Sequence, residues 1–215
     1  MEDRKYWVGF NHIKGIGAVR FQRLLNHFPD LKTAWNASEI ELRQAGIGEK
    51  PLMNLLQFRK KNDLDHIYEE IIKKGIQIST IQDQDYPQPL KQIVNPPPVL
   101  YIKGKILEKD AHALAVVGTR KITAYGKNIV RELAEFLAQN DITIISGLAR
   151  GVDSEAHKSI LNVGGRTIAV LGNGIDIVYP PENQALAKNI IANGALVSDF
   201  APGTLPEGIN FPPRN

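Results

Sequence analysis

Val116-Val117-Gly118-Thr119-Arg120-Lys121 is the stretch that decides how this chain folds. An apolar strand, read here as residues 113–117, breaks at a glycine and hands over to two cations and a helix. Glycine lets a backbone approach an anion closely, and the first N–H groups of a helix are unpaired donors at the positive end of its dipole. A second copy of this design follows: 142–146 reads as a strand ending in Ser146-Gly147-Leu148-Ala149-Arg150-Gly151-Val152-Asp153, ahead of a helical stretch with Glu155, Ala156 and His157. Two strand ends therefore aim glycine, hydroxyl and arginine the same way, an arrangement suited to phosphate.

Working outward, strands are expected at 113–117, 142–146, 167–171 and 195–198, joined by helices 124–139, 152–162 and 182–193. This alternation predicts an α/β fold, a Rossmann-like, doubly wound, mainly parallel sheet whose ligands sit beyond the carboxyl ends of its strands. That rule brings Gly118, Thr119, Arg120, Ser146, Gly147, Arg150, Gly172 and Gly174 to one edge although they are distant in sequence. A nicotinamide or flavin site does not fit, because the glycine after Val117 stands alone and Gly172-Asn173-Gly174 has Ile177 in the third glycine's place.

The N-terminal part reads as helical and carries a short repeat. Gly15-Ile16-Gly17 followed by Leu24-Leu25 recurs thirty-one positions on as Gly46-Ile47-Gly48 followed by Leu55-Leu56. A Gly-Ile-Gly turn before an amphipathic helix predicts a helix-hairpin-helix or SAM-like module, 1–62, in which Lys14, Gly15, Gly17 and Arg20 could meet phosphate. Packing alone is the competing reading of the same turns. The charge run Arg59-Lys60-Lys61-Asn62 reads as a solvated boundary, after which 63–215 forms the second domain. That domain is led by a helix from Asp63 to Lys74, a strand at 76–81, and a rigid proline-rich connection, 86–98, to another strand at 99–102.

Composition bounds the function classes. At 215 residues and 43% hydrophobic the chain can bury a sizeable core. No cysteine means no disulfide, no thiolate metal site and no cysteine nucleophile. His12, His27, His66, His112 and His157 are scattered without ligand spacing, so neither a metal nor another cofactor is expected. No stretch reads as a membrane span or signal peptide, and a cytoplasmic location is expected. Residues 1–109 carry 17 basic against 13 acidic side chains and residues 110–215 carry 9 against 10. A nucleic-acid site in the sheet region must therefore be a focused pocket around Arg120, Lys121 and Arg150 rather than a broad cationic face.

Taken together, Val116 to Lys121, Ser146 to His157, Gly164-Gly165-Arg166 through Asp176, Tyr179-Pro180 and Phe211-Pro-Pro-Arg-Asn215 resemble the DNA-processing protein A family (DprA, also called Smf). Asp85-Tyr86-Pro87 and Pro96 through Gly104 extend the resemblance over nearly the whole chain. It implies single-stranded DNA binding without catalysis, and loading of the RecA recombinase onto incoming DNA in natural transformation. Carried over by position, Arg120, Lys121, Arg150 and Arg214 would meet backbone phosphate. Ser146, Gly147, Thr119, Gly118, Gly151, Gly172 and Gly174 would shape the groove or donate to it. Tyr179 and Phe211 are expected either to stack on bases or to lie in the core, and Asp153 and His157 would organise the site, Asp153 by pairing with Arg150 or capping its helix.

This chain departs from the family pattern at Ser198-Asp199, where Ser-Glu is expected, and at Pro181-Glu182, where some relatives have a basic residue. Relatives also continue past Asn215. The chain is therefore expected to be an N-terminal fragment, mostly monomeric and a poor recombinase loader, because homodimer and recombinase contacts are assigned to the later part of the nucleotide-fold domain. The alternative from a different class is a LOG-like nucleotide phosphoribohydrolase on the same sheet, with Glu155 or Asp153 in acid/base roles, although that family's Pro-Gly-Gly-x-Gly-Thr block is absent. A protein-interaction scaffold is the third class, marked by failure to bind any nucleic acid.

Overall fold

The computed structural model describes residues 3–211. The chain divides into two compact units, Met1–Leu100 and Tyr101–Asn215. The first contains helices α1 (Arg4–Asn11), α2 (Ala18–His27), α3 (Leu31–Asn36), α4 (Glu39–Gln44), α5 (Glu49–Lys61) and α6 (Leu64–Lys73), then strand β1 (Gln77–Thr80) and a single helical turn, α7 (Gln88–Lys91). The boundary read from sequence at residue 62 falls between α5 and α6, inside this unit.

The Gly-Ile-Gly repeat is a structural repeat. Gly15 and Gly46 both take positive φ, +97° and +81°, which only glycine adopts without strain. Ile16 and Ile47 are buried, and Gly17 and Gly48 cap the N-termini of α2 and α5. The hairpins brace each other reciprocally: Arg23 of α2 donates to the Gly46 carbonyl at 2.9 Å, and Asn54, thirty-one positions on in α5, donates to the Lys14 carbonyl at 2.9 Å. Phe10 fills the space beneath, meeting Trp35 edge-on at 5.1 Å and Phe21 at 6.1 Å. The charge run before residue 62 is not a linker but the last turn of α5. Arg59 donates to the carbonyls of Ala34 and Ala37 at 3.0 Å each, closing the C-terminal end of α3, and lies over the Trp35 ring. Burial lowers its pKa to about 10, so it remains a cation. A run that looks solvated in one dimension thus supplies a helix cap in three.

The second unit follows β2 (Val99–Gly104) with β3 (Ala113–Ala115), α8 (Ala124–Gln139), β4 (Thr143–Ser146), α9 (Val152–Asn162), β5 (Thr167–Val170), α10 (Gln184–Asn193) and β6 (Gly194–Ser198). Strand order is β1-β2-β6-β5-β4-β3. β3, β4, β5 and β6 run parallel, with Ile145 opposite Ala115 and Ile168, while β2 is antiparallel to β6. The α/β, mainly parallel reading of the sequence therefore matches the architecture. Val116, Val130, Ala134, Leu137, Ile144, Ala156 and Ile160 form a core that joins β4 to α8 and α9. Truncating a fully buried residue such as Ile160 to alanine typically costs about 2–5 kcal/mol.

Two boundaries differ from expectation for physical reasons. The strand read as 113–117 ends at Ala115, because β3 is the sheet edge and only β4 pairs with it; the Val116 N–H still reaches the Ile145 carbonyl. The helix read from 182 opens as a 3-10 turn, Pro181–Asn183, because buried Asn183 is turned to donate to the Leu148 carbonyl and the Ser154 hydroxyl, and the α-helical part starts at Gln184. At the sheet's other end, Arg166 grips Asp110 with two hydrogen bonds, 2.6 and 2.8 Å, and the Thr143 hydroxyl donates to the same carboxylate. Burial opposes ionisation of Asp110, but Arg166, the Leu107 N–H and Thr143 hold its pKa below the ordinary carboxylate value. This latch gathers the starts of β3, β4 and β5, so their carboxyl ends open together on the far side. Among the described residues no helix is long and apolar enough to cross a membrane.

Candidate nucleic-acid interface

The parallel strands deliver three loops to one end. After β3, residues 116–123 form a loop rather than passing straight into a helix; α8 starts only at Ala124, where the Thr123 hydroxyl accepts from the Gly126 N–H. The helix begins at 124, as the sequence predicts, so its N-terminal amides lie past the Gly118 turn and the anion-attracting charge at the strand end is carried by side chains. Thr119 is spent inside the loop, its hydroxyl accepting the Lys121 N–H and its carbonyl accepting the Val152 N–H. Lys121 is exposed.

After β4, residues 147–151 are tied down from both sides. Asp153 accepts the N–H groups of Gly147 at 3.2 Å and Ala149 at 3.4 Å. Asn183 donates to the Leu148 carbonyl and to the Ser154 hydroxyl, each at 2.8 Å. Leu148 is buried at φ +59°, a left-handed conformation that costs energy for a residue with a Cβ and persists because these bonds impose it. The expected Asp153–Arg150 pair does not form; Asp153 holds the loop backbone, and Arg150 Nε donates to Glu182 Oε1 at 2.5 Å. Glu182 raises the Arg150 pKa, and Arg150 holds the Glu182 carboxyl below the ordinary range. Ser146, expected to offer its hydroxyl to a ligand, is 3% exposed and donates to the Val116 carbonyl at 2.6 Å.

The two arginine loops form one wall. A Cβ on Gly151, at φ +81°, would overlap the Thr119 carbonyl oxygen, and one on Gly118 would fall 2.7 Å from Val152 Cγ2. Both glycines are thus required by the close approach of the loops to each other. The third loop, 171–183, brings Tyr179, whose ring stacks on Phe211 with centroids 6.1 Å apart and planes 25° from parallel. Phe211 lies against Gly172, where a Cβ would stand 2.7 Å from the ring. The Arg120 guanidinium sits 5.8 Å from the Phe211 centroid, in cation–π range. Gly174 packs instead toward Ala201 and Gly203, away from these rings.

The result is a cleft lined by Arg120, Gly147, Ala149, Arg150, Tyr179, Pro180 and Phe211. Of these, Ala149 and Pro180 were read only as parts of their motifs and given no place in the site, because apolar side chains of no chemical distinction carry no such signal. The cleft is shallow and open to solvent rather than an enclosed cavity. It suits a ligand that lies across the surface. Behind it, the buried His157 meets the Thr167 hydroxyl through Nδ1 at 2.7 Å. Because that hydroxyl donates its proton to the Ile144 carbonyl, Nδ1 must be the protonated nitrogen, and the bare Nε2 has no partner among the described residues. Burial drives the His157 pKa from 6.5 to about 3, so α9 is tied to β5 by a neutral ring. Glu155 pairs with Arg131 of α8 at 3.0 Å.

In the first unit, Arg20 donates to the Gly15 carbonyl at 2.8 Å, bracing its own hairpin, while Lys14 is exposed. Arg214 lies outside the described residues. No cluster of histidine and carboxylate side chains that could hold a metal occurs among the described residues.

The sequence and the fold have clear relatives. The family model for DNA recombination-mediator protein A matches residues 77–215. Protein Smf of Synechocystis sp. is 39% identical over 218 residues, covering 99% of this chain and 55% of that protein. The DNA processing protein DprA of Bacillus subtilis is 36% identical over 163 residues, covering 72% of this chain and 55% of that protein. The X-ray structure of DNA processing protein A from Streptococcus pneumoniae superposes with a TM-score of 0.80 at 27% identity, over 98% of this chain and 72% of that one. A Helicobacter pylori DNA processing protein A, from a structure that describes its single-stranded DNA binding mode, gives 0.57 at 32% identity over 64% and 62%. The chain spans about half the length of the curated relatives it matches. With this coverage, the chain belongs to the DNA recombination-mediator protein A family.

Proposed function

We propose that the cleft binds single-stranded DNA without catalysing its chemistry. The observation that carries this is the meeting of Arg120 with the stacked Phe211 and Tyr179 rings beside Arg150. Exposed aromatic faces accept unpaired bases, each stack contributing about 1–3 kcal/mol, and guanidinium groups accept the phosphates between them. A duplex hides its base faces, so it can offer this cleft only its backbone. Tyr179 is 38% exposed, which leaves ring surface for a base. Against a nucleotide-hydrolysing role, both carboxylates that could act as acid or base are occupied: Asp153 by backbone amides and Glu155 by Arg131. Hand-over of the bound strand to the RecA recombinase is proposed with it, as the step a recombination mediator performs, and homodimerisation as its accompaniment.

The test is the salt dependence of binding to short single-stranded and duplex oligonucleotides. Preference for the single strand is expected, and Arg120→Ala should weaken binding more than Lys127→Ala, reducing the slope of log affinity against log salt by about 0.7. Equal losses in the two variants would replace the cleft by diffuse electrostatics. Release of free base from nucleoside monophosphates would establish the hydrolase instead. Strand-exchange assays with RecA, and sedimentation over a concentration series, test loading and self-association.

A further inference from the structure

Arg120 and Arg150 are placed alike by their loops but partnered differently. Among the described residues Arg120 makes no ion pair, whereas Arg150 is held by Glu182 at 2.5 Å. The carboxylate is not a stray surface side chain. Glu182 sits in the 3-10 turn Pro181–Asn183, and its neighbour Asn183 is buried and bonded to Leu148 and Ser154, on either side of Arg150 in sequence. The same bonds that shape the Arg150 loop thus fix where Glu182 stands. A carboxylate offers a guanidinium the same pair of anionic oxygens that a phosphodiester does.

We propose that Glu182 is an internal competitor for the phosphate position on Arg150, so that a DNA strand engages Arg150 only by displacing a carboxylate that the chain itself supplies. This rests on the reading of the cleft as a single-stranded DNA site. Both side chains are more than half exposed, 59% for Arg150 and 51% for Glu182, so the pair is solvated and weak enough to open. Glu182 is ionised at neutral pH in any case, and its hydrogen bond with Arg150 holds the carboxyl further below the ordinary range. Among the described residues that line it, the cleft then has one constitutive cation, Arg120, and one whose charge is neutralised at rest. It holds a strand less tightly than its arginine content suggests, which suits a protein that must release what it binds.

The experiment measures affinity for a fluorescent oligothymidylate across a salt series in four proteins: wild type, Glu182→Gln, Arg150→Ala and the double variant. Glutamine keeps the shape of an exposed side chain and removes its charge. Glu182→Gln is expected to tighten binding about two- to five-fold at low salt. It should also steepen the log–log salt slope by about 0.7, because Arg150 now contributes one more displaced counterion. In the Arg150→Ala background the same substitution should change neither quantity. Unchanged or weaker binding by Glu182→Gln, with wild type still binding the oligonucleotide, overturns the competitor and leaves the cleft reading intact. An equal gain in the Arg150→Ala background also overturns it, showing only a general field effect. No binding by wild type at any salt removes the cleft reading and the competitor together.

Discussion

The loop after β3 and the loop after β4 start from the same sequence design, strand then glycine then arginine, and end in different states. In the first, Arg120 leans on an aromatic ring contributed by Phe211, ninety-one positions away, and pairs with no carboxylate among the described residues. The second is tied by Asp153, Asn183 and Ser154, carries a buried leucine in a left-handed conformation, and has its arginine engaged by Glu182. A local motif places a charge at a strand end. The neighbours that the rest of the chain brings there decide whether the charge is free.

The strongest way to break this comparison is at the seam between the loops. Gly151→Ala forces a left-handed residue with a Cβ against the Thr119 carbonyl, and the expected cost is at least about 2 kcal/mol, read as a lower midpoint in denaturant unfolding. Both arginines should lose their placement, so DNA affinity should fall even where the variant stays folded. A midpoint equal to wild type would show that the loops do not depend on each other.

Acid should act next, and on the β4 side. His157 in the folded chain has a pKa of about 3, against 6.5 for a solvated histidine. The folded state therefore takes up fewer protons than the unfolded one. Its stability falls as pH drops below about 6.5, by up to roughly 1.4 kcal/mol per pH unit, and levels off near pH 3. His157→Gln should flatten this part of the stability profile relative to wild type, in urea unfolding between pH 7 and 5. Parallel profiles would mean that the ring is not neutral when buried.

Arg120→Ala is expected to weaken single-strand binding about tenfold, and Arg150→Ala only about two- to threefold, since the latter removes a cation already half committed to Glu182. Fluorescence anisotropy at fixed salt checks both. Equal losses would erase the distinction between the two loops. Among these effects the smallest is expected at Lys127, one turn into α8, where alanine should change affinity by less than twofold.

Much was legible from the order of residues alone. The parallel sheet followed from short apolar runs alternating with helical stretches, and α9 was read with the limits the structure has, Val152 to Asn162, because hydrophobic periodicity and glycine breaks act over a few residues. The Gly-Ile-Gly repeat was equally plain, since each turn needs its own glycine at positive φ. What failed were the readings in which a polar group's partner was assumed. Ser146 looked like a donor to ligand but is buried against Val116, Arg59 looked solvated but caps α3, and Asp153 looked like a partner for Arg150 or a cap for its own helix but holds the amides of the preceding loop.

The sequence by itself determined which elements form and where the glycine-bearing turns must lie, because backbone conformation and amphipathic periodicity are properties of neighbouring residues. Only the tertiary structure decided that Phe211 reaches Gly172 and Arg120, that Gly118 and Gly151 are required by each other's loops, and that Glu182 meets Arg150. Those are long-range contacts. The energy of a charge or an aromatic face depends on what stands within a few ångströms of it, and that distance is set by the packing of strands far apart in the chain.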